Sequence, residues 1–219
     1  MRRNMFLMIT AALSALSLVA LPAVASAGTP QIHCPNGAPS CNINFAATHT
    51  ELQMTNTFAP ITCTSISGSG RLDTTSGSLQ LLFHGCKDTI FGIECGTTTT
   101  TSLPFDLRYL TVGKTVPGFL LTPNPTGSGT HFMNLGCAGI ITGNGVMGRL
   151  SAGCTSPQTS LGLVFEIGSN GHQTHKQITG TGAIYDLTAE SIAGPTTFAI
   201  NTIATVTLAA GGNFTVTCV

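Results

Sequence analysis

Residues 57–86 read TFAPITCTSISGSGRLDTTSGSLQLLFHGC. A cysteine stands near the start (Cys63) and another at the end (Cys86), with Gly68-Ser-Gly70 between them. The closing run sets Leu79, Leu81 and Phe83 in alternation with Gln80, Leu82 and His84. Successive side chains of a strand point to opposite faces, so this alternation predicts a half-buried strand. Taken alone, the two cysteines read as a pair closing one hairpin, and Gly68-Ser-Gly70 as its turn or a bulge. Pro60, which cannot donate to a ladder, places the strand that runs through 58–65 at a sheet edge or begins it there.

The same recipe recurs along the chain. Leu103-Pro-Phe105-Asp-Leu107-Arg-Tyr109 puts apolar residues on every odd position. Leu161, Leu163, Phe165 and Ile167 follow the rule, as do Tyr185 and Leu187, then Phe198, Ile200, Ala204 and Val206, and finally Phe214, Val216 and Cys218. Turn signals separate these runs at Ser76-Gly77, Gly113-Lys114, 123–129, Gly143-Asn-Gly145, Ser169-Asn-Gly171 and Gly211-Gly212. β-branched residues are plentiful and no apolar stripe has helical spacing. The pattern predicts an all-β, antiparallel β-sandwich or β-barrel, with residues 28–44 as an irregular N-terminal segment and 45–219 as a single all-β domain.

Residues 1–27 read as a secretory signal peptide: Arg2 and Arg3, an apolar run over 6–20, Pro22, and the small-x-small site Ala25-Ser-Ala27. The run is short for a membrane span of about 20 residues. Without Arg2 and Arg3 the chain carries six basic against eight acidic residues, a formal charge of −2. That balance argues against nucleic acid as a partner. All eight cysteines, Cys34, Cys41, Cys63, Cys86, Cys95, Cys137, Cys154 and Cys218, lie beyond the leader. An even set behind a signal peptide implies a disulfide framework, and no short CxxC or CxxH spacing favours zinc. Proximity suggests Cys34–Cys41, Cys86–Cys95 and Cys137–Cys154, which leaves Cys63 to reach Cys218 on the last strand.

Candidate chemistry is sparse. His172-Gln-Thr-His175 is the most suggestive pair, but a third metal ligand is missing and a polar hairpin tip is the plainer reading. His84 and His131 are candidate general bases without an adjacent partner. Asp106, Glu166 and Asp186 each alternate with apolar residues, which places them on a solvated face or in the lumen of an open barrel. Motifs of nucleophile elbows, HExxH zincins, P-loops and EF-hands are absent from the sequence. Tyr109 and Tyr185 fall on apolar phases and read as core, which weakens a lectin reading. The Asn213-Phe-Thr215 sequon falls in a predicted strand and is expected to be unused. A membrane β-barrel shares the signature of leader plus alternation, but the strands read as too short and the aromatics as too few.

Short pieces of the chain, Ile61-Thr-Cys63-Thr-Ser, Gly68-Ser-Gly70, Phe83-His-Gly-Cys86, Leu103-Pro-Phe105 and Gly143-Asn-Gly145-Val146, resemble uncharacterised secreted bacterial β proteins rich in Thr and Gly. The resemblance implies a shared fold and a secreted habit, and transfers no functional residue and no cofactor. Three expectations follow. The first is an exported, non-enzymatic cell-envelope or extracellular protein that acts by binding or structure, one version being a barrel that holds a small apolar ligand in an open cavity. The second is a secreted hydrolase using carboxylate or histidine chemistry, in which two or more of His84, His131, Asp106, Glu166 and Asp186 converge in one cleft. The third is a surface interaction module with an exposed apolar patch or unprotected edge.

Overall fold

The structure is a computed structural model that describes residues 29–54, 60–110, 116–123, 131–154, 156–169, 172–174, 186–191 and 194–218. The predicted leader, Phe58, His175, Tyr185 and the turn at Gly113-Lys114 lie outside the described residues. The strands, in chain order, are β1 (Gln31–His33), β2 (Ser40–Met54), β3 (Ile61–Cys63), β4 (Ser65–Asp73), β5 (Ser76–Asp88), β6 (Glu94–Thr99), β7 (Leu103–Tyr109), β8 (Pro117–Leu121), β9 (His131–Leu135), β10 (Gly139–Gly143), β11 (Val146–Leu150), β12 (Ser160–Phe165), β13 (Leu187–Ser191), β14 (Gly194–Leu208) and β15 (Thr215–Thr217).

Eight of these pair in the closed order β2-β4-β5-β7-β8-β11-β12-β14, and β14 returns to β2. Every pairing in the ring is antiparallel. The fold is therefore a barrel, which leaves its eight strands no free edges over the ring. β2, β5 and β14 are longer than the ring is tall. Past it, β3 continues the line of β4 between β2 and β5, β6 joins β5, and β13, β10 and β9 follow from β14. The Cys95–Cys137 disulfide joins β6 to the turn after β9 and holds this upper tier together. At the other end β1 and β15 pair as a two-stranded plug, with Ile32, Phe214 and Val216 buried. Residues 28–44, expected to be irregular, thus contain β1 and the start of β2. Pro30 precedes β1, while Pro35, Gly37 and Pro39 lie in or beside a short 3-10 turn, Pro35–Gly37.

The inner faces form one apolar cluster that runs through both tiers, from Ile43, Phe45 and Leu72 to Phe132, Ile141 and Phe198. The outer faces carry exposed Asn42, Asn44, Ser67, Ser69, Arg71, Gln80 and Thr205. A membrane barrel has the opposite polarity, with apolar side chains outward. This inversion argues against membrane spanning, and so does the length of ring strands β7, β8, β11 and β12, of 7, 5, 5 and 6 residues, although β2 and β14 have 15 residues each. No helix among the described residues is long and apolar enough to cross a membrane.

Two sequence expectations change here. Gly68 and Gly70 do not form a turn; they lie inside β4, opposite Leu81 and Leu79. They serve close approach: a Cβ at Gly68 would meet the Gln80 carbonyl oxygen at 2.6 Å and the Leu81 side chain at 2.9 Å. Gly77, also read as a turn, lies in β5 where the Phe105 ring occupies the space a Cβ would need. Phe105 in turn stacks on Phe119 with ring centroids 4.1 Å apart.

All eight cysteines are paired, as Cys34–Cys41, Cys63–Cys86, Cys95–Cys137 and Cys154–Cys218. Only the first agrees with the pairing chosen by proximity. Cys63 does not reach Cys218, because β3 and β5 are antiparallel with Ile61 opposite Asp88 and Thr62 opposite Lys87, which sets Cys63 against Cys86. Cys218 follows β15, which lies against residues 156–158: Gln158 bridges Phe214, and the Val216 N–H donates to Ser156 Oγ at 3.0 Å. Cys154 is therefore its partner and not that of Cys137, and Cys95 is left for Cys137 rather than Cys86. Chain-entropy arguments scale with loop length. The C95S/C137S double variant, opening a separation of 42 residues, is expected to lose about 4 kcal/mol of unfolding free energy. C34S/C41S, with a separation of 7, is expected to lose about 2 kcal/mol by the same relation. Urea unfolding midpoints check the order of the two.

Candidate functional site

Among the described residues, those singled out for chemistry sit on the outer wall. His84, on β5, has its Nε2 3.1 Å from Ser67 Oγ on the neighbouring strand. His131 is exposed at the start of β9. Asp106 pairs with Arg108 two residues on along the same strand, at 3.3 Å. Glu166 and Asp186 reach the same edge of β14, beyond the pairs Phe165–Thr202 and Leu187–Phe198. Each has a partner there: Arg149 lies 3.6 Å from Glu166, and His172 Nδ1 lies 2.9 Å from Asp186 Oδ2. Two of the five residues of the hydrolase expectation thus share a wall, while His84, His131 and Asp106 stand on other strands. Ion pairs as exposed as Asp106–Arg108 and Glu166–Arg149 contribute about 0–1 kcal/mol each. Among the described residues no three His, Cys, Asp or Glu side chains are grouped as a metal would need.

Gln173, which lies between Glu166 and Asp186 along the chain, has a structural duty that the sequence did not reveal. β13 pairs with β14 up to Phe198, and β12 takes over from Thr202, so Ile200 faces a gap between them. Gln173 fills it. Its Oε1 accepts the Ile200 N–H at 3.0 Å, and its Nε2 donates to the Ile200 and Glu166 carbonyls, each at 3.0 Å. The side-chain amide does here what a strand backbone would do. Gln173 is 3% exposed, so these bonds are shielded from water. The segment expected to be a polar hairpin tip therefore turns one polar side chain inward. The neighbouring His172 faces outward to Asp186.

The interior offers no room for a ligand around Phe45, Ile66, Leu81, Phe83, Phe132 and Phe165: the void they line is about 10 Å³, about the space of a single water. The open cavity expected for a barrel holding a small apolar ligand is not present there, because aromatic and leucine side chains from facing strands fill it. A surface depression of about 150 Å³ lies between β5 and β6, lined by Gly85, Cys86, Lys87, Glu94, Gly96 and Thr97.

Above that depression is the feature that sequence reasoning missed. The turn joining β5 to β6 presents Ile90, Phe91 and Ile93 to solvent at 55%, 75% and 57% exposure. It is ordered from within. The Asp88 N–H donates to the Ile93 carbonyl (2.9 Å), and the Gly92 N–H to the Asp88 carbonyl (3.1 Å). Asp88 Oδ1 accepts the Ile90 and Phe91 N–H groups at 2.9 and 2.6 Å. Thr89 donates both its N–H and its hydroxyl to the Pro60 carbonyl. Gly92 takes φ +68°, a conformation that suits glycine. The readable signal is Asp88 followed four residues later by Gly92, a turn pattern whose intervening positions hold Ile and Phe where polar residues are usual. Comparison with protein-family models, curated proteins and solved structures gives no match for this chain.

Replacing Gln173 by Ala would leave the Ile200 N–H and C=O unpaired in a buried gap. The expected loss is about 2–4 kcal/mol of stability, read as a lower urea midpoint. Gln173→Glu, which keeps the acceptor but loses the donor, is expected to be destabilising as well.

Proposed function

We propose that this protein is an exported, non-enzymatic cell-envelope or extracellular β protein that acts by binding through its surface. The observation that carries the reading is the ordered exposure of Ile90, Phe91 and Ile93 on a turn whose geometry is fixed by its own hydrogen bonds. A turn free to fold back would cover such side chains. This one is held outward, and exposed apolar clusters on a protein surface mark interaction sites. Export is supported by the leader-like sequence and by four disulfides, which are typical of extracellular proteins. Binding in the barrel interior finds no support in the filled core. The hydrolase reading has only the Glu166 and Asp186 wall behind it, where both carboxylates are engaged by basic side chains.

The test is sedimentation of the purified mature chain with isolated envelopes of the source organism. Saturable association is expected, weakened more than about tenfold by Ile90→Ser with Phe91→Ser, since burying two such side chains is worth several kcal/mol. Glu166→Gln is expected to leave it unchanged. Association that ignores the turn substitutions, or that depends on Glu166, would remove the basis of the proposal.

A further inference from the structure

Resting on that reading of the turn as a binding surface, we infer that its partner is a lipid bilayer: Ile90, Phe91 and Ile93 enter the boundary between headgroups and acyl chains. Three observations select lipid over a protein partner. The first is hydrogen bonding. The backbone N–H groups of all five residues from Asp88 to Gly92 donate within the molecule, two of them to the Asp88 carboxylate. In a hydrocarbon environment an unpaired backbone donor is expensive, whereas in water it costs nothing. The turn thus keeps the backbone donors of Ile90 and Phe91, two of its three exposed apolar residues, paired on the apolar side of an interface.

The second is size and shape. The three side chains expose on the order of 300–400 Å², judged from the area an aromatic or aliphatic residue can bury. A stable protein–protein interface buries about 800 Å² per partner. The tip is convex, so a second copy presenting the same tip would add little contact, whereas a fluid bilayer conforms to any convex shape. Interfacial insertion needs only a few apolar side chains placed about 5–10 Å deep.

The third is pre-organisation and charge. Cys86 and Cys95, on the two strands that carry the turn, are each locked by a disulfide to another strand or turn, so little conformational freedom remains to be lost on binding. Lys87 stands opposite Glu94 at the base of the turn. The tip therefore brings no cluster of basic residues, and insertion rests on apolar burial and not on attraction to anionic lipid.

The chain has no tryptophan, so Phe91→Trp makes the tip carry its one indole. The probe is a vesicle of pure phosphatidylcholine. Expected are a blue shift of the indole emission on adding vesicles, quenching by phosphatidylcholine brominated on its acyl chains, and loss of both when Ile90→Ser and Ile93→Ser are added. Raising salt from about 0.1 to 1 M, which collapses the screening length, is expected to leave the shift in place. Flotation of the wild-type chain with the same vesicles gives a readout free of any substitution, and an unchanged melting temperature shows that Phe91→Trp folds. No shift and no flotation at lipid excess would overturn the inference. So would a shift that grows with protein concentration without lipid, which would mean a second copy, or flotation abolished by salt. Retention on envelopes together with failure on vesicles would overturn the lipid assignment while leaving the surface-binding reading standing.

Discussion

The structure depends on the antiparallel pairing of β14 with β2. These strands stand near opposite ends of the chain and run side by side from Leu208–Ile43 to Phe198–Met54. That seam closes the lower ring and also carries the upper tier, since β3 and β13 attach to the same two strands beyond the ring. Without it the remaining strands would be an open sheet with two long unpaired edges, a form prone to pair with other chains. The seam is not regular. Its register shifts between Thr202 and Ala204. There a buried hydroxyl pair, Thr50 Oγ1 to Thr202 Oγ1 at 2.9 Å, is anchored by Thr202 donating to the His49 carbonyl at 2.8 Å. A bulge of this kind bends the strand that carries it and increases its local twist.

Closure has consequences for where function can reside. Eight strands enclose an interior that side chains can just fill, and here Phe, Leu and Ile fill it. Charged groups are pushed to the outer wall, where histidines and carboxylates are dispersed over several strands. What stands out from that hydroxyl- and amide-rich surface is apolar: three such residues are grouped in the β5–β6 turn, while Val116 and Ile203 are exposed singly elsewhere. Disulfides brace the places where backbone pairing ends: the base of that turn, the gap between β6 and β9, and the plug of β1 and β15. They substitute for ladder hydrogen bonds that the topology does not provide.

Much of this was legible in the sequence. Alternation in Leu103–Tyr109 and in 161–165 gave strands and their inner faces, and the outward positions of Asp106 and Glu166 followed from it. The same rule failed at Tyr109, which is half-buried, because the chain bends there and Leu110 packs over Leu120 and Met147 instead. Three of the four disulfides were misread because pairing follows strand register, and register between distant strands leaves no mark on spacing along the chain. Gly68 and Gly70 carry the residue type of a turn but serve close packing inside a strand. Gln173 could not be found by pattern at all: a glutamine in a polar segment reads as solvated, and only the gap at Ile200 gives it a buried role. The apolar tip was readable in Asp88-Thr-Ile-Phe-Gly92 but is easily taken for the end of a strand.

Closure of the barrel through β2 and β14 is tested most directly by amide hydrogen exchange. If the seam is closed, residues 202 and 204–207 of β14 have β12 on one edge and β2 on the other. Their hydrogen-bonded amides should then exchange only through global unfolding, as slowly as any in the protein. Exchange of these amides at rates near those of the exposed turns would show that the seam opens on its own, and would contradict a closed ring.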